Sequence, residues 1–178
     1  MNPPVPAKLR PVIARLEAGA GRPDLEELRR LLQQLDLSPE GARDFISFNA
    51  GGYQRNLVSC GAWHEILVIC WLSGQRSPIH DHAGSACAFK VLHGTGREII
   101  HQLQPDGSVR PLCSRRLPPG YVAASREADI HEVANLQPQQ RPLITLHIYS
   151  PPLVRMRTYH RTYAPQVTAT ALHSTPSP

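Results

Sequence analysis

From Tyr53 onward, no apolar run is long enough to make a long helix before a turn interrupts it. Glu65–Leu72 (EILVICWL) is apolar and β-branched, as a buried strand would be. Ala86–Leu92, Arg97–Leu103, Val109–Leu112 and Pro142–Tyr149 follow at strand length. Between them lie Gly94-Thr95-Gly96, Pro105-Asp106-Gly107 and Pro118-Pro119-Gly120, which are turn chemistries. The 18 Pro and 12 Gly of the chain favour many short elements over long helices. The pattern predicts a mainly β protein, a barrel or a sandwich.

The first 48 residues read differently. Leu25, Leu28, Leu31, Leu32 and Leu35 recur at three- and four-residue steps, the stripe of an amphipathic helix. Pro23 is expected in the first turn of that helix. Ser38-Pro39-Glu40 reads as a cap opening a second short helix that runs to Phe48, and Ala7–Leu16 is a further helix candidate. The length of 178 residues suits one domain, 1–178. Its expected parts are a helical segment over 1–48, a β-barrel over 53–163 and a loose tail over 164–178, rich in Ser, Thr, Ala and Pro. The helices are expected to pack on the outside of the barrel, although the same stripe would also serve as a partner surface.

Composition excludes several classes. Hydrophobic residues at 41% and charged residues at 19% argue against global disorder. No stretch approaches the length of a membrane span. The start, Met1-Asn2-Pro3-Pro4-Val5-Pro6, lacks an apolar signal core, so the cytoplasm is the expected compartment. The net charge of +5 comes from scattered arginines without a like-charge run, so no nucleic-acid partner is indicated. Cys60, Cys70, Cys87 and Cys113 form no CxxC pair and are expected as free thiols. A monomer is expected.

Four of the nine histidines stand out. On an extended strand, His80 and His82 of His80-Asp81-His82 project to one face and can grip one metal ion, while Asp81 points away to anchor a loop. The pair alone is also compatible with a merely polar turn. His131, far downstream, can return beside them in a barrel and complete a three-imidazole set with open positions. Neutral imidazoles suit Fe, Zn, Cu or Ni better than Mg or Ca, and open positions imply a reactive rather than a closed structural site. Thr145, His147 and Tyr149 alternate with Leu146 and Ile148, so one strand face carries a hydroxyl, an imidazole and a phenol. Such a face either forms a hydrogen-bonded relay or holds a satisfied core histidine. His64, His93, His101, His160 and His173 stand alone and read as surface or core filler.

Gly74, His80-Asp81-His82, Cys87 and Gly94 keep the spacing of the first cupin motif, with Cys87 where most cupins carry a glutamate. Pro118-Pro119-Gly120 followed by His131 and Asn135 is similar to the second, with a longer gap that implies a loop insertion. With Tyr53-Gln54-Arg55-Asn56-Leu57-Val58, Cys70-Trp71, and Leu146-His147-Ile148-Tyr149-Ser150-Pro151-Pro152, the chain resembles the cysteine dioxygenases, small non-haem iron cupins, from Tyr53 to Pro152.

The resemblance implies a cupin fold with the N-terminal helices outside it, and one Fe(II) per chain held by His80, His82 and His131. It implies that Arg55 binds the substrate carboxylate, that Tyr53 lines the pocket, and that Cys87 and Tyr149 form a thioether crosslink. Thr145, His147 and Tyr149 match a Ser-His-Tyr relay, and Ser150-Pro151 matches a cis peptide bond. Ala86 and Met156 stand where animal enzymes carry a histidine and a second active-site cysteine, which suggests the bacterial branch. The implied reaction takes L-cysteine and dioxygen to cysteine sulfinic acid. The competing readings are a dioxygenase of 3-mercaptopropionate or another thiol, a cupin that binds metal without turnover, and a metal-dependent sugar isomerase. The first generally lacks the arginine and the Cys–Tyr pair, and the last normally needs the glutamate that Cys87 replaces.

Overall fold

A computed structural model describes residues 3–19, 21–126 and 128–161. The expected tail over 164–178, with His173, lies outside the described residues. Two helices come first, α1 (Arg10–Glu17) behind a 3₁₀ turn at Ala7–Leu9, and α2 (Leu25–Gln34). Ten strands follow: β1 (Gln54–Cys60), β2 (Glu65–Trp71), β3 (Ile79–Asp81), β4 (Ala86–His93), β5 (Gly96–Leu103), β6 (Val109–Leu117), β7 (Val122–Ser125), β8 (His131–Ala134), β9 (Leu143–Ser150) and β10 (Arg157–Tyr159).

The expected barrel takes the form of two five-stranded sheets, ordered β1-β2-β9-β4-β7 and β10-β3-β8-β5-β6. Every strand pairing within them is antiparallel. The first sheet is buried on both faces, which is why β2, β4 and β9 read as continuous apolar runs rather than alternating ones. Ile66, Val68 and Cys70 of β2, Ala86 and Ala88 of β4, and Ile144, Leu146 and Ile148 of β9 join one core with Leu9, Val12, Leu16, Leu28 and Leu32 of the helical segment. The alternate residues Leu67, Ile69 and Trp71, Cys87 and Phe89, and Leu143 and Tyr149 form a second core between the sheets with Leu117 and Val133. The period of two therefore sorts each strand into a structural face and a site face.

The helices start and stop near the expected places, with corrections. Asp24 caps α2 by accepting from the Glu27 amide at 2.7 Å, so Pro23 precedes the cap instead of sitting in the first turn. Ser38 Oγ accepts from the Gly41 amide at 3.1 Å, but the helix it opens is a 3₁₀ segment, Glu40–Phe45, which stops short of Phe48. Strand β6 outruns its expected end at Leu112. Its residues Arg110–Arg116 are exposed, so no burial alternation marks them. Gly94 has φ +77°, and a side chain there would meet the carbonyl of Pro142. The Ser150-Pro151 bond is cis, as the resemblance implies. All four cysteines are unbridged, Cys70 and Cys87 buried, Cys60 and Cys113 exposed.

Candidate functional site

The second sheet brings the three selected histidines together. His80 of β3 stands directly opposite His131 of β8 in the strand register, and His82 follows one residue past the end of β3. The three ligand-capable nitrogens lie within 4.8 Å of one another, all on buried residues. His131 Nδ1–H donates to Glu98 Oε1 at 2.8 Å, and His80 Nδ1–H donates to the Pro78 carbonyl at 2.9 Å. Each such bond assigns the tautomer and leaves Nε2 as the lone-pair atom. His131 Nε2 lies 3.2 Å from His82 Nε2. Burial, then the charge that a protonated His131 would carry, pushes His80 down to about 4. The same causes push His82 down to about 3. Convergent imidazoles, two of them oriented by hydrogen bonds at Nδ1, are the donor set that a divalent transition metal needs, and these residues fit one.

The carboxylates interleaved with the histidines face away from the cluster and are strapped by the C-terminal strand. Asp81 accepts from Tyr159 Oη at 2.6 Å, from Arg157 Nε at 3.3 Å and from the Ala83 amide at 2.9 Å. Burial opposes its ionisation, yet these donors hold its pKa below the usual carboxylate range. Glu132, next to His131, is buried and pairs with Arg161 and, at 3.5 Å, with Arg76.

The first sheet supplies the facing wall. Trp71 Nε1–H donates to Thr145 Oγ1 at 3.0 Å, and Thr145 Oγ1–H donates to the Ile69 carbonyl at 3.3 Å. His147 Nε2 lies 2.9 Å from the same Thr145 oxygen. Since the Thr145 proton goes to the carbonyl, Nε2 must be the donor and Nδ1 the acceptor. Tyr149 Oη, 3.3 Å from Nδ1, then donates to it. Phe89 stacks on the His147 ring at 4.7 Å between centroids. Burial, followed by the positive charge of Arg55, drives the His147 pKa well down, so this imidazole stays neutral and orients the phenol. Burial, then Cys87, pushes Tyr149 well up, and burial does the same to Cys87. Cys87 and Tyr149 are direct partners in the β4–β9 register, which sets their Cβ atoms about 5 Å apart.

The imidazole cluster and this wall line one cavity together with Arg55, Tyr53 and Met156. Tyr53 stacks on Trp71 at 4.5 Å between centroids. The Arg55 guanidinium lies 5.4 Å from the centre of the Tyr149 ring and donates from Nη2 to Glu65 Oε2 at 3.2 Å. A buried metal-ligating set therefore faces a fixed cation across a wall of aromatic rings, an arrangement suited to an anionic bifunctional ligand.

A family model described as cysteine dioxygenase type I matches residues 3–162. The chain belongs to the cysteine dioxygenase type I family. The cysteine dioxygenase type 1 of Danio rerio is 30% identical over 142 residues, which cover 76% of this chain and 70% of that protein. The Rattus norvegicus protein of the same name is 30% identical over 134 residues, 72% of this chain and 66% of that one. The Homo sapiens protein is 29% identical over 157 residues, 85% and 77% respectively. Among solved structures, an uncharacterized conserved protein from Klebsiella pneumoniae with a double-stranded β-helix domain aligns with a TM-score of 0.54 at 18% identity. It covers 67% of this chain and 89% of that one, and it supports the cupin fold alone.

All the candidate site residues that the sequence selects except Thr145 line the one cavity, and Thr145 is joined to it through His147. Sequence reasoning missed Glu98, Glu65 and the role of Trp71. Glu98 left a signal, a carboxylate at a position that alternation places inside β5, where it is buried. Glu65 left none, since it opens an apolar strand where a charge is ordinary. Of the histidines set aside, His64 is buried and lies 3.0 Å from Ser59 Oγ, and His101 is buried 3.4 Å from Glu132. His93 and His160 are exposed. Among the described residues no helix is long and apolar enough to cross a membrane.

Proposed function

We propose that this chain is a monomeric, Fe(II)-dependent thiol dioxygenase that converts L-cysteine and O2 into cysteine sulfinic acid. Membership of the cysteine dioxygenase type I family supports the reaction class. The observation that carries the reading is the placing of His80, His82, His131 and Arg55 around one cavity. Fe(II) held by three neutral imidazoles supplies a dicationic redox centre that favours a thiolate and activates dioxygen.

The chain's own residues do the rest. Arg55, with Nη2 tied to Glu65, keeps its other N–H groups for the substrate carboxylate. Tyr53 and Trp71, stacked on each other, form one apolar side of the cavity. Trp71 and Thr145 lock His147, and His147 holds the Tyr149 phenol by its proton. The Tyr149 oxygen is thus fixed at the cavity wall, with lone pairs available to a substrate N–H or S–H. Because His147 is so resistant to charging, it acts as an orienting group and not as a proton store. Cys87 cancels none of the metal charge, as a carboxylate there would, and its thioether bond to Tyr149 would further fix the phenol. Both oxygen atoms end on sulfur. The sulfur gives up four electrons and dioxygen takes four, so no external reductant is needed.

The test is oxygen consumption by anaerobically purified, Fe(II)-loaded protein with L-cysteine and with 3-mercaptopropionate. Cysteine is expected to win, and Arg55→Ala is expected to raise KM for cysteine at least tenfold. Preference for 3-mercaptopropionate would overturn the substrate and leave the site chemistry intact.

A further inference from the structure

His80 and His131 each make an Nδ1 bond that turns Nε2 toward the cluster, to the Pro78 carbonyl and to Glu98. His82 Nδ1 makes none of good geometry among the described residues, although the backbone of Arg126 lies near its ring. Two things are left to orient His82: edge-on packing against Tyr149, at 5.6 Å between centroids, and the course of its own backbone. The Ser85 amide donates to the His82 carbonyl at 3.0 Å, and the two residues between, Ala83 and Gly84, have φ of +45° and +106°. A tight turn with both central residues left-handed favours Asn, Asp or Gly at the first of them. Alanine enters that region roughly tenfold less readily than glycine. The Ala83 side chain is exposed, so packing does not hold it there. Asp81 does, since its Oδ1 accepts from the Ala83 amide at 2.9 Å. The carboxylate is fixed in turn by β10, whose Arg157 stands opposite Asp81 in register. Tyr159 Oη donates to Oδ2 at 2.6 Å and Arg157 Nε to Oδ1 at 3.3 Å.

We infer that Asp81 is the positioning residue for His82: through the Ala83 amide it holds the left-handed turn that fixes where the His82 ring points. The inference rests on the reading of the three histidines as metal ligands. A carboxylate that faces away from the cluster thus serves the ligand beside it, the one without an Nδ1 bond to orient it.

The experiment is Co(II) titration of the metal-free full chain, read as affinity and as the visible absorption that reports the ligand set. His82→Ala supplies the reference spectrum for loss of that imidazole. Asp81→Ala is expected to bind Co(II) about tenfold more weakly, with a spectrum moved toward that of His82→Ala. Adding Ala83→Gly to Asp81→Ala restores the turn but not the contacts to β10. It should return affinity to within about threefold of the parent and bring the spectrum back. A role of Asp81 through β10 alone would not be rescued by glycine. Ala83→Val keeps Asp81 and its partners and adds backbone strain at an exposed position. Several-fold weaker binding with the same spectral shift is expected, and this variant decides the matter if Asp81→Ala does not fold. Unchanged affinity in Asp81→Ala or Ala83→Val, or a loss that glycine does not recover, overturns the inference while leaving the metal site standing. If His82→Ala binds Co(II) as the parent does, the metal-ligand reading falls and the inference falls with it.

Discussion

The two sheets build their halves of the site by different means. The metal-ligating half comes from the shortest strands, with His80 on a three-residue β3 and His131 on a four-residue β8. Both strands are fully buried, and their carboxylates are held by polar partners: Asp81 accepts from Tyr159 and pairs with Arg157, Glu132 pairs with Arg161, and Glu98 accepts from His131. The facing half sits on β9, eight residues long and buried throughout, with aliphatic side chains under the helices and the Thr-His-Tyr face toward the cavity. That half is held by packing and by neutral hydrogen bonds. The site is thus a rigid organic wall set against a cluster whose order depends on charge.

The sharpest way to break this contrast is to delete packing under the wall. Leu146→Ala, beneath the helices, should cost about 2–5 kcal/mol in denaturant unfolding. It should leave metal affinity within about twofold of the parent; a large loss of metal binding would show that the halves are not separately supported. Next in size is Glu98→Gln, which removes the charge orienting His131. Cobalt(II) titration should show roughly 10–100-fold weaker binding with little change in unfolding free energy.

Acid should act on both halves, because burial pushes down His80 and His82 on one side and His147 on the other. An unfolded imidazole takes up its proton near pH 6.5, whereas His80 and His82 in the fold do so at about 4 and about 3. Below about pH 6.5 the unfolded chain therefore binds more protons, and the metal-free protein loses stability as pH falls from there toward 3. Thermal melts of metal-free protein between pH 8 and pH 4 check this, and a flat profile would refute it. The smallest expected effect is Trp71→Phe, which removes one donor from Thr145 and costs about 1 kcal/mol. It should lower kcat several-fold and leave metal affinity unchanged.

Much of this site is legible in the chain because its ligands obey simple periods. His80 and His82 are two apart, as are Thr145, His147 and Tyr149, and a strand turns that spacing into a shared face. The parts that were not legible arise from register between strands distant in sequence. Glu98 reaches His131 because β5 pairs with β8, and Trp71 reaches Thr145 because β2 pairs with β9. No local pattern announces either. Strands β7, β8 and β10 are too short to display a period, and β6 is exposed along most of its length, so its end could not be read from alternation.

The most direct test of the central claim is turnover of L-cysteine by the Fe(II)-loaded protein under ¹⁸O-labelled dioxygen, with the product's mass determined. The account predicts cysteine sulfinic acid carrying two labelled oxygens, formed in step with the oxygen consumed. A product with one label, or cystine in place of sulfinate, would contradict it.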